Sequence, residues 1–211
     1  MVKFSFIFKV KLREILRMRL SYILLLLVGF VTMAEAHPHV FADVKIKAVF
    51  GQNGFTGVQN QWSFDEVYSA AMLASADADG DGKIAGKETD EIKTLVLGPL
   101  QQSNYYNYVM AGTKFLPAGK IEGFSAAMKN GKLVLDFKVA FSVPVTSDYT
   151  MLVIVVSDQT NYIQMTTDME NADVDAPDGL DVEFFPDEVR GLTIFRAFRS
   201  DTEGLFLRFK K

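Results

Sequence analysis

Beyond residue 40, apolar and polar positions alternate with period two over much of the chain. In "VKIKAVF", Val44, Ile46 and Ala48 fall on one face, and Lys45 and Lys47 on the other. The longest such run is "KLVLDFKVAFSV". There Leu133, Leu135, Phe137, Val139, Phe141 and Val143 alternate with positions that include Asp136, Lys138 and Ser142. Successive side chains of a strand point to opposite faces, so these runs predict half-buried strands. "MLVIVVS", from Met151, is apolar on both faces and predicts a central strand; "LFLRF", from Leu205, alternates again. Asn53-Gly54 and Asn130-Gly131 stand between strand-like runs and predict tight hairpins. The acidic, turn-rich stretch from Ala172 to Gly179 reads as a loop.

From Phe64 to about Met110 the period changes. Val67, Ala70 or Ala71, and Ala74 recur at helical spacing. Glu91, Ile92, Leu95 and Val96 open a second helix, which Gly98-Pro99 interrupts. "QQSNYYNYV" continues as helix or starts a strand. Strands, then helices, then strands predict an α+β domain built on an antiparallel β-sheet or sandwich, with residues 64–110 as a helical insertion.

The first 36 residues are of another kind. Lys3, Lys9, Lys11, Arg13, Arg17 and Arg19 precede the apolar run "LSYILLLLVGFVTM", which ends at Ala34-Glu35-Ala36. A basic region, a short apolar core and a small-x-small site define a secretory signal peptide, cleaved after Ala36. A transmembrane anchor is the alternative, although the run falls short of the roughly 20 residues that a spanning helix needs. A start at Met18 would give a leader of more ordinary length. Cleavage removes six of 22 basic and two of 26 acidic residues, leaving 16 and 24, a formal net charge of −8. That balance suits cations and argues against nucleic acid as a partner. With no cysteine, an exported domain of residues 37–211 must rely on its core or on metal.

Between the two predicted helices lies "DADGDGKIAGKE". Asp77, Asp79 and Asp81 occupy positions 1, 3 and 5 of a twelve-residue loop, with Gly82 at 6, Lys83 at 7, Ile84 at 8 and Glu88 at 12. This is the spacing of an EF-hand calcium loop. Calcium takes six to eight hard oxygens. Alternate carboxylates converge on one point only if the chain turns sharply after the third, and Gly82 permits that turn. Lys83 would offer its backbone carbonyl with its ammonium pointing away, Glu88 both carboxylate oxygens, and Ile84 a hydrophobic anchor. Ala85, at position 9, leaves room for water. The competing reading is an acidic turn that binds nothing, built by Asp and Gly chemistry alone. A lone exported site of this kind is expected to be weak, roughly 10⁻⁴ to 10⁻³ M, and so a structural clamp rather than a switch.

Both histidines of the chain, His37 and His39, stand at the predicted cleavage point. Cleavage would give His37 a free amine beside its imidazole, and His39 a place as second imidazole, a set that suits Cu²⁺, Ni²⁺, Co²⁺ or Zn²⁺. Pro38 has no N–H to lose, which excludes a planar site built on deprotonated amides. The competing reading is a flexible strand start with both rings in solvent. Asp43 reads as a solvated strand residue. Asp65 and Glu66 read as a helix start, where acids meet the positive end of the dipole. Two histidines and no cysteine leave little for Ser-His-Asp or Cys-His catalysis. Trp62 and the Phe-rich strands read as core.

"AHPHVFADVKIKAVF", "GVQNQWSFDEVYSA", "DADGDGKI", "YYNYV" and "SDQTNYIQM", in that order, resemble a family of exported bacterial proteins of unknown function. Its members are often labelled the periplasmic component of an uncharacterised ABC-type transport system and are commonly encoded beside nickel/cobalt-type transporters. The resemblance covers nearly all of residues 37–211. It implies a periplasmic location and an inner-membrane metal transporter as partner, with His37 and His39 matching the family's histidines and Trp62, Phe64, Asp65 and Glu66 its second motif. The expectation is thus a binding or accessory protein for nickel-, cobalt- or zinc-type transport with a structural calcium loop. A copper-dependent oxidative enzyme, or a purely structural partner of a transporter, is the alternative.

Overall fold

A computed structural model describes residues 39–189 and 202–211. These belong to one compact unit, Pro38–Lys211. The predicted leader, its cleavage site and His37 lie outside the described residues.

The strands are β1 (Val40–Gly51), β2 (Gly54–Phe64), β3 (Asn107–Ala111), β4 (Lys114–Phe115), β5 (Ile121–Lys129), β6 (Lys132–Pro144), β7 (Thr150–Val156), β8 (Ile163–Thr167), β9 (Asp173–Asp175), β10 (Asp181–Glu188) and β11 (Glu203–Lys210). Between β2 and β3 come helix α1 (Glu66–Ala76), helix α2 (Lys87–Ile92), a π-helical turn (Lys93–Leu97) and a 3-10 run (Gly98–Tyr106). One sheet has the order β5-β6-β2-β1-β8, with β9 also on β1; the other has the order β10-β11-β7-β3-β4. The domain is therefore β-rich α+β, with two sheets. Pairing is antiparallel except where β8 and β9 run parallel to β1. The expected antiparallel architecture is present; the parallel pairing of β8 and β9 with β1 joins residues more than a hundred apart in sequence, which period-two patterning does not reveal.

The alternating faces read from the sequence are the buried ones. Val44, Ile46 and Ala48 of β1 and all six apolar positions from Leu133 to Val143 of β6 are buried in one core with Leu152, Ile154, Leu205 and Phe209 of the other sheet. The Phe50 and Phe209 rings meet between the sheets at 5.0 Å. Strand β7 is central, between β11 and β3. Its Leu152 and Ile154 join this core, while Val153 and Val155 join a second cluster with Met110 and Val189, which accounts for two apolar faces. A buried side chain of this size contributes about 1.5–3 kcal/mol, so the core can hold a domain that lacks disulfides.

Both hairpins form. Asn130 (φ 52) and Gly131 (φ 77) are the two turn residues between β5 and β6. At the other, Gln52 and Asn53 make the turn and Gly54 opens β2 with φ 127; a Cβ there would stand 2.2 Å from the Val143 carbonyl oxygen.

Three local expectations are corrected, and one open alternative is resolved. Phe64 still belongs to β2. Helix α1 does not bury Val67, which is 83% exposed, but Ser69 and Ala76, with Tyr68, Met72 and Leu73 packed at the edge of the core. Apolar residues surround this helix, so spacing alone could not select a face. The stretch from Ala172 to Gly179 is not all loop, since Asp173–Asp175 pair with β1. Lastly, "QQSNYYNYV" stops being helical before Asn107. Asn104, Tyr105 and Tyr106 have φ of 52, 53 and 57, a left-handed turn that costs about 1–2 kcal/mol per residue. Tertiary contacts hold it: Tyr106 stacks on Trp62 at 6.4 Å, and the Asn104 Oδ1 accepts from the Ala118 N–H.

Candidate functional site

The acidic loop joins α1 to α2. The Asp77 N–H closes α1 on the Leu73 carbonyl at 2.9 Å, and Lys87 starts α2. Asp77 then folds the loop around itself. Its Oδ1 accepts from the Gly80 and Asp81 N–H groups at 2.8 and 3.2 Å, and its Oδ2 from Gly82 at 3.0 Å. Asp79 accepts from the Asp81 N–H at 3.1 Å, and Asp81 from the Lys83 N–H at 2.8 Å. Gly80, Gly82 and Gly86 have positive φ. One oxygen each from Asp77, Asp79 and Asp81 lies within 4.8 Å of the others. Glu88 spans the loop: its Oε1 accepts from Ala78 at 2.8 Å and its Oε2 from Ala85 at 3.0 Å. Ile84 is buried in the main core, the anchoring expected of it.

The expected orientation of Lys83 is not found. Its Nζ lies 3.1 Å from the Asp81 Oδ2. That hydrogen bond holds the Asp81 carboxyl below the usual range and the Lys83 ammonium above its own. Three close carboxylates draw the nearest cation, and Lys83 is the nearest in sequence. The pair is exposed and therefore weak.

At the start of β1, the His39 N–H donates to the Tyr162 carbonyl at 3.0 Å, and the exposed imidazole stands 5.5 Å from the Tyr162 ring at 50°. Asp43 is exposed and 3.7 Å from the Lys132 Nζ, as a solvated strand residue should be. Asp65 caps α1: its Oδ1 accepts from Val67 at 2.9 Å and Tyr68 at 3.0 Å, while its Oδ2 accepts from the Phe41 N–H at 2.9 Å. Burial raises this carboxyl, but the amide donors outweigh it and leave the pKa lowered. With both oxygens engaged, Asp65 serves the fold, and Glu66 follows in the first helical turn. Beside them, burial pushes the Tyr68 phenol up to about 12, helped by Tyr162 and Asp65.

Trp62 and Phe64 are fully buried, as core residues should be. The Trp62 indole N–H donates to Asn60 Oδ1 at 3.3 Å; the Asn60 amide donates to Asn107 Oδ1 at 3.0 Å; the Asn107 amide donates to the Tyr105 carbonyl at 2.7 Å. This polar chain escaped the sequence reading, because nothing in the pattern links residues 60 and 107. Asp158, also buried, escaped it too, although Asp followed by Gln-Thr-Asn is a turn signal. Its carboxylate accepts from Thr160 N and Oγ1 at 2.8 and 2.7 Å, and from Tyr162 and Ile163 N–H at 3.1 and 2.9 Å. Burial, with the neighbouring Asp158 charge, pushes the Tyr106 phenol up to about 12.

A two-sheet, β-rich α+β domain with an acidic helix–loop–helix beside its core is the class that these features define. The chain belongs to the DUF1007 family, proteins of unknown function, whose profile matches residues 22–188. It is similar to an uncharacterised protein of Haemophilus influenzae, 26% identical over 137 residues, which are 62% of this chain and 63% of that protein.

Proposed function

We propose that this protein is an exported, periplasmic metal-binding accessory protein for nickel-, cobalt- or zinc-type transport, with the Asp77–Glu88 loop as a structural calcium site. The observation that carries the metal reading is the convergence of the Asp77, Asp79 and Asp81 oxygens within 4.8 Å. Hard carboxylate oxygens at that spacing suit Ca²⁺. Bound calcium would draw Asp81 away from Lys83 and leave Lys83 to contribute its carbonyl, with Glu88 turning from the Ala78 and Ala85 amides toward the ion. Ile84 ties the loop to the core, which supports a clamp.

His37 and His39 form the second site of this reading, for Ni²⁺, Co²⁺, Zn²⁺ or Cu²⁺, with imidazole nitrogen as donor. The exposure of His39 at the start of β1 supports it. An inner-membrane metal transporter is the proposed partner, on the resemblance to exported proteins encoded beside such transporters. Titration calorimetry of the mature protein with each of the four ions tests the site. The double variant His37→Ala, His39→Ala should lose binding; unchanged affinity would refute it.

A further inference from the structure

A sheet edge is a row of unpaired N–H and C=O groups, and proteins blunt it with charge, proline or a bulge. Most edges among the described strands are treated in this way. β10 carries Asp181, Glu183 and Pro186, β4 has Lys114 and β9 has Asp173, while β5 breaks register between Glu122 and Ser125. Strand β8, "IQMTT" from Ile163 to Thr167, ends its sheet and has none of these devices. Its outward row follows from the bonds at its two ends. The Val40 N–H donates to the Tyr162 carbonyl at 3.3 Å and the Asp168 N–H to the Val44 carbonyl at 2.8 Å, so the even-numbered residues face β1. The residues between them direct their backbone groups to the other side. Accordingly, the Ile163 N–H turns to the Asp158 carboxylate at 2.9 Å, and the Thr167 carbonyl accepts from the Met169 N–H at 3.0 Å. On the open edge remain the Ile163 carbonyl, both backbone groups of Met165 and the Thr167 N–H: acceptor, donor, acceptor, donor.

This edge is one wall of a cavity of about 230 Å³. The other walls are Val156 and Ser157 at the end of β7, Asp158 and Asn161 of the following loop, and Thr202 and Glu203 at the start of β11. Two carboxylates line the cavity and no Lys, Arg or His does. Both Asp158 oxygens already accept from Thr160, Tyr162 and Ile163, so the exposed Glu203 carries the charge that a ligand meets. We propose that this cavity binds a short extended peptide with a basic side chain. The peptide adds to β8 as a strand. Its N–H groups donate to the Ile163 and Met165 carbonyls, its carbonyls accept from the Met165 and Thr167 N–H groups, and its Lys or Arg side chain meets Glu203. At about 3.3 Å per residue the free edge is roughly 13 Å long, room for about three or four ligand residues. Main-chain pairing of this kind supplies affinity, and the side chains supply selectivity. The proposal does not rest on metal binding at either proposed site.

The probes are acetylated, amidated tripeptides, so that only the central side chain is charged: Ala-Lys-Ala, Ala-Glu-Ala, and Ala-Lys-Ala methylated on its backbone nitrogens. Each is titrated into the purified, ¹⁵N-labelled protein, and binding is read from the amide shifts. Ala-Lys-Ala should move the Met165 and Thr167 amides and bind about tenfold more tightly than Ala-Glu-Ala. Glu203→Gln should erase that preference while the lysine peptide still moves the same amides. Backbone methylation removes the peptide's N–H donors and should weaken binding at least about tenfold. Met165→Pro should weaken it likewise, since the Met165 N–H takes no part in pairing with β1 and an edge position admits proline. Thermal melting checks that variant, and the methylated peptide carries the test if it melts early. No binding of Ala-Lys-Ala at millimolar concentration, shifts confined to other parts of the chain, or equal binding by the methylated peptide would overturn the proposal. Glucose that moved the Met165 and Thr167 amides where Ala-Lys-Ala did not would overturn it too, and assign the cavity to a polyol.

Discussion

At the residue scale, Asp65 joins two elements with one carboxylate. It caps α1 through Val67 and Tyr68 and holds the Phe41 N–H of β1. Asp65→Ala removes the cap and should cost about 0.5–2 kcal/mol in urea unfolding at pH 7. Its folded pKa is lowered, so its contribution is present above the unfolded value of about 3.9 and is lost as pH falls through the folded value. The gap between wild type and Asp65→Ala should therefore narrow below pH 4; a constant gap would contradict the assignment. Asn107 poses a different problem. It is fully buried and accepts from Asn60, which in turn accepts from Trp62. Asn107→Ala leaves a buried amide donor without its partner, and chemical denaturation should show a loss of about 1–3 kcal/mol. None of this was legible in the sequence beyond the helix-start signal at Asp65. A cap is local and follows from adjacent residues, whereas Asn60 and Asn107 meet only because β2 and the turn before β3 are folded together.

At the element scale, the Gly54 turn and the acidic loop are held in different ways. Gly54 opens β2 where a Cβ would collide with the Val143 carbonyl at 2.2 Å. Gly54→Ala must displace the backbone of β6 as well as force a strained φ. The loss should exceed the roughly 1 kcal/mol that a helix-interior glycine exchange carries, lowering the melting temperature by several degrees. A melting temperature within a degree of wild type would show that the hairpin adapts freely. The acidic loop is stabilised through Ile84 and Glu88 in the folded chain, so calcium that binds there binds the folded state. With a dissociation constant of roughly 10⁻⁴ to 10⁻³ M, 10 mM Ca²⁺ should add about 1.4–2.7 kcal/mol. Scanning calorimetry should show this as a rise of a few degrees, abolished in Asp77→Ala and reversed by chelator.

At the scale of the whole molecule, one core collects the inner faces of both sheets together with Ile84, Ile92 and Tyr106 of the helical segment. A lesion in the middle of it should be felt everywhere. Leu152→Ala, in central β7, should cost about 2–5 kcal/mol and leave the transition between folded and unfolded states cooperative. Urea melts followed by tryptophan fluorescence, which reports Trp62, and by circular dichroism should coincide. Two separated transitions would mean that the sheets unfold independently.

The linear chain determined what depends on neighbours. Period-two burial in β1 and β6, the two hairpins, the cap at Asp65 and the carboxylate spacing from Asp77 to Glu88 each need only a few consecutive residues to be recognised. Tertiary structure decided what depends on distance along the chain. It chose the buried face of α1, turned β8 and β9 parallel to β1, and ended the helical segment at a left-handed turn held by Trp62 and Ala118. It also brought Tyr162, on the loop folded around Asp158, to His39, more than a hundred residues away. The physical reason is the same in each case. Local choices are set by backbone sterics and side-chain periodicity, whereas these others are set by which partner supplies the missing contact, and that partner exists only after the sheets have formed.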